Sequence, residues 1–143
     1  MGGPIISKIA MDFPNLVDGL VEIAASVSPE LEPPNRWRKF LDFSLIRWLT
    51  PPALTVCNQE IIPLENELRE MESHWHKINV PINVIQGTKD QLVPAGNAYF
   101  IEKMAVNCPS LKLNMLEGKD HFILWSETQI IKKELIEMVK TIQ

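Results

Sequence analysis

Two polar residues follow apolar segments at corresponding places in the last third of the sequence. Asp90 lies in GTKDQLVP, four residues past the apolar segment INVIQ, and His121 lies in EGKDHF, five residues past LKLNML. A carboxylate that binds the Nδ1 hydrogen of an imidazole fixes its tautomer and stabilises the imidazolium when Nε2 takes a proton. If the two loops adjoin, Asp90 and His121 form the acid–base part of a nucleophilic triad.

Each residue alone has a simpler interpretation. A single Asp after a strand is usually a turn residue or a helix cap, and a single His is more often a surface or core residue. The joint placement, Asp and then His at the ends of successive strands, favours catalysis over these simpler roles.

The elements that position the two residues follow from hydrophobic periodicity. Apolar runs predict strands around residues 20–26, 82–86 and 111–116, and spacing near 3.6 predicts helices, at 2–13, 60–74, 95–106 and 127–142. This alternation predicts an α/β fold with a parallel sheet between helices. Ligands of open parallel sheets bind beyond the carboxyl ends of the strands, which is where both loops lie.

Three strands are fewer than a sheet usually has. A parallel sheet of three apolar strands would leave an apolar edge, and such an edge invites pairing with another chain. The sequence therefore predicts that part of the sheet is missing or is supplied by a partner.

Composition excludes several functional classes. The 143 residues carry 14 basic and 18 acidic side chains, a net charge of −4, which disfavours a dedicated nucleic-acid binder. No run of 18 apolar residues is present, so we expect no membrane span, and the first residues do not read as a secretory signal. Cys57 and Cys108 are therefore expected to be reduced thiols in a cytoplasmic protein, with a disulfide as the alternative.

Three segments resemble the C-terminal part of an α/β-hydrolase. Residues 75–94, WHKINVPINVIQGTKDQLVP, are similar to strand seven and the acid turn of that family, and residues 116–125, LEGKDHFILW, to its histidine loop. The opening, MGGPIISKIAMDFP, is similar to the helix that follows the nucleophile elbow G-x-S-x-G. The family order is Ser, then Asp or Glu, then His, and Asp90 and His121 match the second and third members.

The resemblance covers nearly the whole chain and implies its organisation. Residues 1–27 would be the post-elbow helix and a core strand, 28–76 a helical cap insertion, and 77–143 the C-terminal core with the acid and histidine loops. The nucleophilic serine would precede Met1, so this chain would lack it and be inactive alone. The backbone N–H of Met1 would be one oxyanion-hole donor.

The implied reaction is hydrolysis of a small apolar ester or amide by a Ser-Asp-His triad. The side chains expected to line the substrate, beside the two loops and on the apolar stripe of the cap, are Leu92, Phe122, Trp37 and Phe40. No cofactor and no metal are expected. His74 and His76 have the spacing of metal ligands on a strand, but at a helix end such residues point apart.

No other residue matches the position that a nucleophile needs. The candidates within the chain lie on no strand-to-helix elbow: Ser7, Ser26, Ser44, Ser126 and Cys57. Ser126 is better explained as the N-cap of the last helix.

Two functions outside catalysis stay open. The chain could be a non-catalytic module that completes its sheet as a homodimer, by a swapped edge or with a partner chain. It could also be a doubly wound binding domain without triad chemistry.

Overall fold

A computed structural model describes residues 2–32 and 52–143, and it contains a parallel sheet in this part of the chain. The strands are β1 (Leu20–Ile23), β2 (Ile82–Gly87) and β3 (Leu111–Leu116), in the order β1-β2-β3. Both pairs are parallel, and Ile82 of β2 lies between Leu20 and Leu111. The predicted α/β class and the predicted strands are confirmed. Only β1 is shorter than expected, because Ala24 adopts a left-handed φ of 46° directly after it.

Helices precede and follow these strands. They are α1 (Gly2–Asp12), α2 (Pro52–Glu72), α3 (Gly96–Met104), the short α4 (Ile123–Ser126) and α5 (Thr128–Thr141). Helix α2 begins eight residues before the predicted start at Glu60. Pro52 lies at its first position, where the missing N–H of proline costs no hydrogen bond.

Most of the core lies on one face of the sheet, under α1, α2 and α3. Leu20, Ile82 and Val84 point to this face, and Trp75 lies there with 1% of its surface exposed. The Trp75 ring meets Phe100 of α3 edge to face, with ring centroids 5.7 Å apart. Each fully buried large apolar side chain contributes about 1.5–3 kcal/mol to the free energy of unfolding.

The opposite face is covered by α4 and α5. Leu135 and Val139 of α5 are 47% and 50% exposed, whereas Glu134 is 3% exposed. Glu134 is buried because it accepts hydrogen bonds from Asn83 of β2 and Lys112 of β3. These bonds set the rotation of α5 on the sheet.

Some of the predicted site residues and part of the expected cap lie outside the described residues. These site residues are Met1, Trp37 and Phe40, and the cap is the one expected at 28–76. Among the described residues, no helix combines the length and apolar content that a membrane crossing requires. Cys108 is a free thiol.

Candidate active site

The carboxylate of Asp90 is fixed by the loop that follows β2. Its Oδ1 accepts hydrogen bonds from the backbone N–H groups of Leu92 at 2.9 Å and Val93 at 2.7 Å. The side chain is completely buried. This is the local geometry by which an Asp side chain closes a turn. Because Oδ1 is used within the loop, Oδ2 is the oxygen available to other groups.

Gln86, the last side chain before Gly87 in β2, orients that second oxygen. Its Nε2 donates to Oδ2 of Asp90 and to the carbonyl of Val93, each at 3.1 Å. Gln86 is 1% exposed. Gln86 was not predicted from the sequence, and the available signal was a polar side chain at the end of a mainly apolar strand.

His121 meets Asp90 from the loop that follows β3. Its Nδ1 lies 2.8 Å from Oδ2 of Asp90, and its side chain is 30% exposed. An ionised carboxylate only accepts hydrogen bonds, so Nδ1 carries the hydrogen and Nε2 is the basic nitrogen of the neutral ring. The contact predicted from the two loops is therefore present, and a partly exposed imidazole can exchange a proton with a bound molecule.

Backbone hydrogen bonds hold the two loops against each other. Thr88 N–H donates to the Leu116 carbonyl at 3.0 Å, and Lys89 N–H donates to the Lys119 carbonyl at 2.9 Å. The Thr88 hydroxyl accepts from the N–H of Gly118 at 2.8 Å. These bonds fix the separation of the acid and histidine loops independently of the Asp90 and His121 side chains.

Gly87 occupies the point at which the loops come closest. A Cβ atom at this position would lie 2.4 Å from the Lys119 carbonyl oxygen and 2.5 Å from that of Asp120. Both contacts are with backbone, so they cannot be relieved by a change of rotamer. Glycine is required here because the histidine loop passes directly over β2.

An aromatic side chain packs against the partly exposed His121 ring. Phe122 meets the imidazole edge to face at a centroid distance of 5.9 Å, and Trp125 lies 6.0 Å from Phe122. Phe122 and Leu92 are 54% and 64% exposed. Both lie beside the Asp90–His121 pair, but their role in lining a substrate stays a prediction. Trp125 is an additional apolar neighbour of Phe122 that was not predicted from the sequence.

The serines considered as nucleophiles have other roles in the structure. Ser7 is buried, with its Oγ 2.7 Å from Oε1 of Glu22. The hydroxyl of Ser26 donates a hydrogen bond to the Glu32 carboxylate. The prediction that Ser126 caps the last helix is wrong. Ser126 ends α4, and Glu127 is the N-cap of α5, because the chain forms an extra helical turn after Phe122. Ser44 and the Cys57 side chain lie outside what the structure describes.

The two remaining histidines lie away from any cluster of metal ligands. His74 follows the end of α2, and His76 lies in a single 3₁₀ turn at Trp75–Lys77. Within residues 2–32 and 52–143, no three His, Cys, Asp or Glu side chains are grouped so that they could hold a metal ion.

Comparison with known proteins identifies the architecture. No protein-family model matches the sequence, and no curated protein does. Among solved structures, a metagenome-derived lipolytic enzyme is 20% identical with a TM-score of 0.70, with 98% of this chain and 62% of that chain covered. A monoacylglycerol lipase from Paleococcus ferrophilus is 12% identical with a TM-score of 0.71, with 99% and 65% covered.

A third structure, the meta-cleavage product hydrolase from Pseudomonas fluorescens, is 15% identical with a TM-score of 0.62, with 99% and 62% covered. The chain thus spans somewhat over three fifths of the length of these structures. It has the architecture of the α/β-hydrolase fold, with the extent expected for the C-terminal part of that fold.

Proposed function

We propose that this chain supplies the acid and the base of a serine hydrolase that acts on a small apolar ester or amide. One observation carries the proposal. His121 Nδ1 lies 2.8 Å from a buried Asp90 carboxylate, where two adjacent parallel strands end in an α/β-hydrolase fold. The described functions of the neighbours, a lipolytic enzyme, a lipase and a hydrolase, support hydrolysis as the reaction class.

In the proposed mechanism, Nε2 of His121 takes the proton of a serine hydroxyl as the serine attacks the acyl carbonyl. Asp90 stays ionised and stabilises the resulting imidazolium, which then protonates the leaving group. The serine would directly precede Met1, and the Met1 amide would be one donor to the oxyanion. The division into core, cap and C-terminal core belongs to the same proposal.

The substrate class follows from the apolar surroundings of the base. A ligand beside His121 would meet no charged group on the side chains of Phe122, Trp125 and Leu92. An uncharged acyl group therefore fits these side chains better than an anion does. Trp37 and Phe40 of the proposed cap would extend the same apolar lining.

The first test uses the native source of the protein. An extract is treated with a fluorophosphonate serine probe, the protein is captured with an antibody against this chain, and its intact mass is measured. A labelled species clearly heavier than 16.3 kDa supports the proposal. An unlabelled species of 16.3 kDa overturns it. A heat-denatured extract is the control, because the probe labels only an activated serine.

A second candidate function is suggested by the edge of the sheet. Beside β1, a cavity of about 290 Å³ is lined by Ile6, Ile9, Val17, Gly19, Leu20 and Val21. In the described part of the chain β1 is an edge strand. An apolar groove next to an open edge favours addition of a strand from a second chain, so the 143-residue chain could act as a sheet-completing partner.

Light scattering of the purified chain tests this second function. A dimer or a defined complex supports it, and a stable monomer contradicts it. The N–H groups of Leu20 and Ala24 donate to the carbonyls of Pro81 and Ile85, so the N–H of Val21 points away from β2. V21P removes that outward donor and should weaken the dimer, whereas V21A, which keeps it, serves as the control.

A further inference from the structure

A second carboxyl group is buried beneath the first turn of α1. Glu22 of β1 is 1% exposed, and its Oε2 has no hydrogen-bond partner among the described residues. A Cβ atom at Gly3 would lie 2.9 Å from this oxygen and 2.5 Å from Cβ of Ala25. The carboxyl is therefore packed directly against the N-terminal turn of α1, where a residue larger than glycine would displace it.

The polar groups around Glu22 form the most hydrogen bonds when the Glu22 carboxyl carries a proton. Ser7 Oγ lies 2.7 Å from Oε1 of Glu22 and 3.0 Å from the Gly3 carbonyl, but a hydroxyl has only one hydrogen to donate. A protonated Glu22 donates to Ser7, which then donates to Gly3. An ionised Glu22 instead takes the Ser7 hydrogen and leaves a buried negative oxygen without a partner.

The environment of Glu22 agrees with a neutral carboxyl at moderate pH. Burial raises the pKa of Glu22 from 4.5 to about 7, and the Ser7 hydrogen bond opposes this only in part. Ser7 faces it from α1 and Val84 is its neighbour on β2. Glu134 of α5 binds Asn83 on the opposite face of the sheet.

We propose that Glu22 is a positioning residue of the hydrolase, whose neutral carboxyl holds the first turn of α1 through Ser7. This inference rests on the proposed function, in which that turn continues from the oxyanion-hole amide of Met1. A helix N-terminus stabilises developing negative charge. An ionised Glu22 at the same place opposes that charge, so the neutral form supports catalysis and the ionised form weakens it.

The test compares pH profiles of the complete hydrolase that contains this chain. With p-nitrophenyl butyrate, kcat and KM are measured from about pH 5 to about pH 9 for the wild type, E22Q and E134Q. The kcat/KM of the wild type should fall toward the alkaline end of this range, as Glu22 loses its proton. E22Q stays neutral, so its kcat/KM should form a plateau and exceed that of the wild type at least about tenfold at the alkaline end.

E134Q is the matched control, because it also replaces a buried glutamate by a neutral side chain, but on the opposite face of the sheet. Its kcat/KM should show the same alkaline fall as that of the wild type. If the enzyme is labelled and active but the kcat/KM of E22Q falls at alkaline pH as in the wild type, only the proposed role of Glu22 is overturned. An enzyme without fluorophosphonate labelling overturns the proposed function instead. Infrared difference spectra of the unmodified protein need no variant. They should show a protonated carboxyl that ionises near neutral pH, and its absence also overturns the inference.

Discussion

Nδ1 of His121 lies 2.8 Å from Oδ2 of Asp90, although the two residues are 31 positions apart in the sequence. The distance is set by the register of two strands. β2 and β3 pair in parallel from Ile82 and Leu111 to Gly87 and Leu116, so both loops leave the sheet at the same level. The pair is thus a consequence of strand register, and the backbone bonds between the loops maintain it.

A comparison of Asp90 with Asp120, an acidic residue of the histidine loop, tests the role of Asp90 as the acid. Asp90→Asn should lower kcat of the complete enzyme on the order of 10³- to 10⁴-fold, because an amide at this position favours the wrong imidazole tautomer. Asp120→Asn is the matched control. Asp120 is exposed and accepts from the N–H of Phe122, so kcat should change by no more than about twofold. Similar losses in both variants would contradict the assignment of Asp90.

Gln86→Leu tests the support of the acid. The substitution removes the Gln86 donor from Oδ2 of Asp90, which keeps only His121, and from the Val93 carbonyl. This loss should lower the free energy of unfolding by about 1–3 kcal/mol. It should also lower kcat without a matching change in KM, since Asp90 loses orientation. Urea unfolding and steady-state kinetics measure both effects. The same substitution at exposed Gln129 of α5 is the control and should leave both quantities unchanged.

Gly87→Ala tests the contact between the loops. The added methyl group overlaps two backbone carbonyls of the histidine loop, so the loop must move and the free energy of unfolding should fall by roughly 1–3 kcal/mol. Gly2→Ala is the control for stability, because a Cβ there meets nothing within 4 Å. The His121 ring resonances in NMR spectra report the displacement. Unchanged resonances and stability in Gly87→Ala would show that the loops tolerate the methyl group.

The sequence predicted the strands and the meeting of Asp90 with His121 because both depend on local patterns and on one topological rule. Apolar runs mark 82–86 and 111–116, and parallel neighbours end at one edge of the sheet. The burial of Glu134 was not predictable, because it depends on Lys112 and Asn83, which are distant in sequence. Periodicity identifies the apolar side of α5, but it does not say how much of that side another element covers, and Leu135 and Val139 are about half exposed.

Gln86 and Glu22 were missed for a related reason. Each is a polar residue within an apolar strand, and its role depends on a partner that only the folded chain brings near: Asp90 and Val93 for Gln86, Ser7 and Gly3 for Glu22. A polar residue in a buried strand is therefore the signal to follow when the partner is not yet known.

The raised pKa of Glu22 predicts that stability depends on pH. Between about pH 4.5, the ordinary value, and about pH 7, the folded-state value, the unfolded carboxyl is ionised while the folded one keeps its proton. The folded state then binds more protons, so its stability falls as the pH rises, by roughly 3 kcal/mol over this interval. Above pH 7 both forms are ionised, and Glu22 contributes no further change.

E22Q removes this titration, because glutamine is neutral at every pH in the interval. In urea unfolding of the purified protein, the free energy of unfolding of E22Q should therefore decline less than that of the wild type between these two pH values. Asp12→Asn, at an exposed carboxylate paired with Lys8, is the control and should retain the wild-type decline attributed to Glu22. If the free energies of unfolding of E22Q and the wild type decline in parallel with pH, Glu22 is ionised in the folded protein within this interval. Only a carboxyl that keeps its proton in the folded state makes the two curves differ.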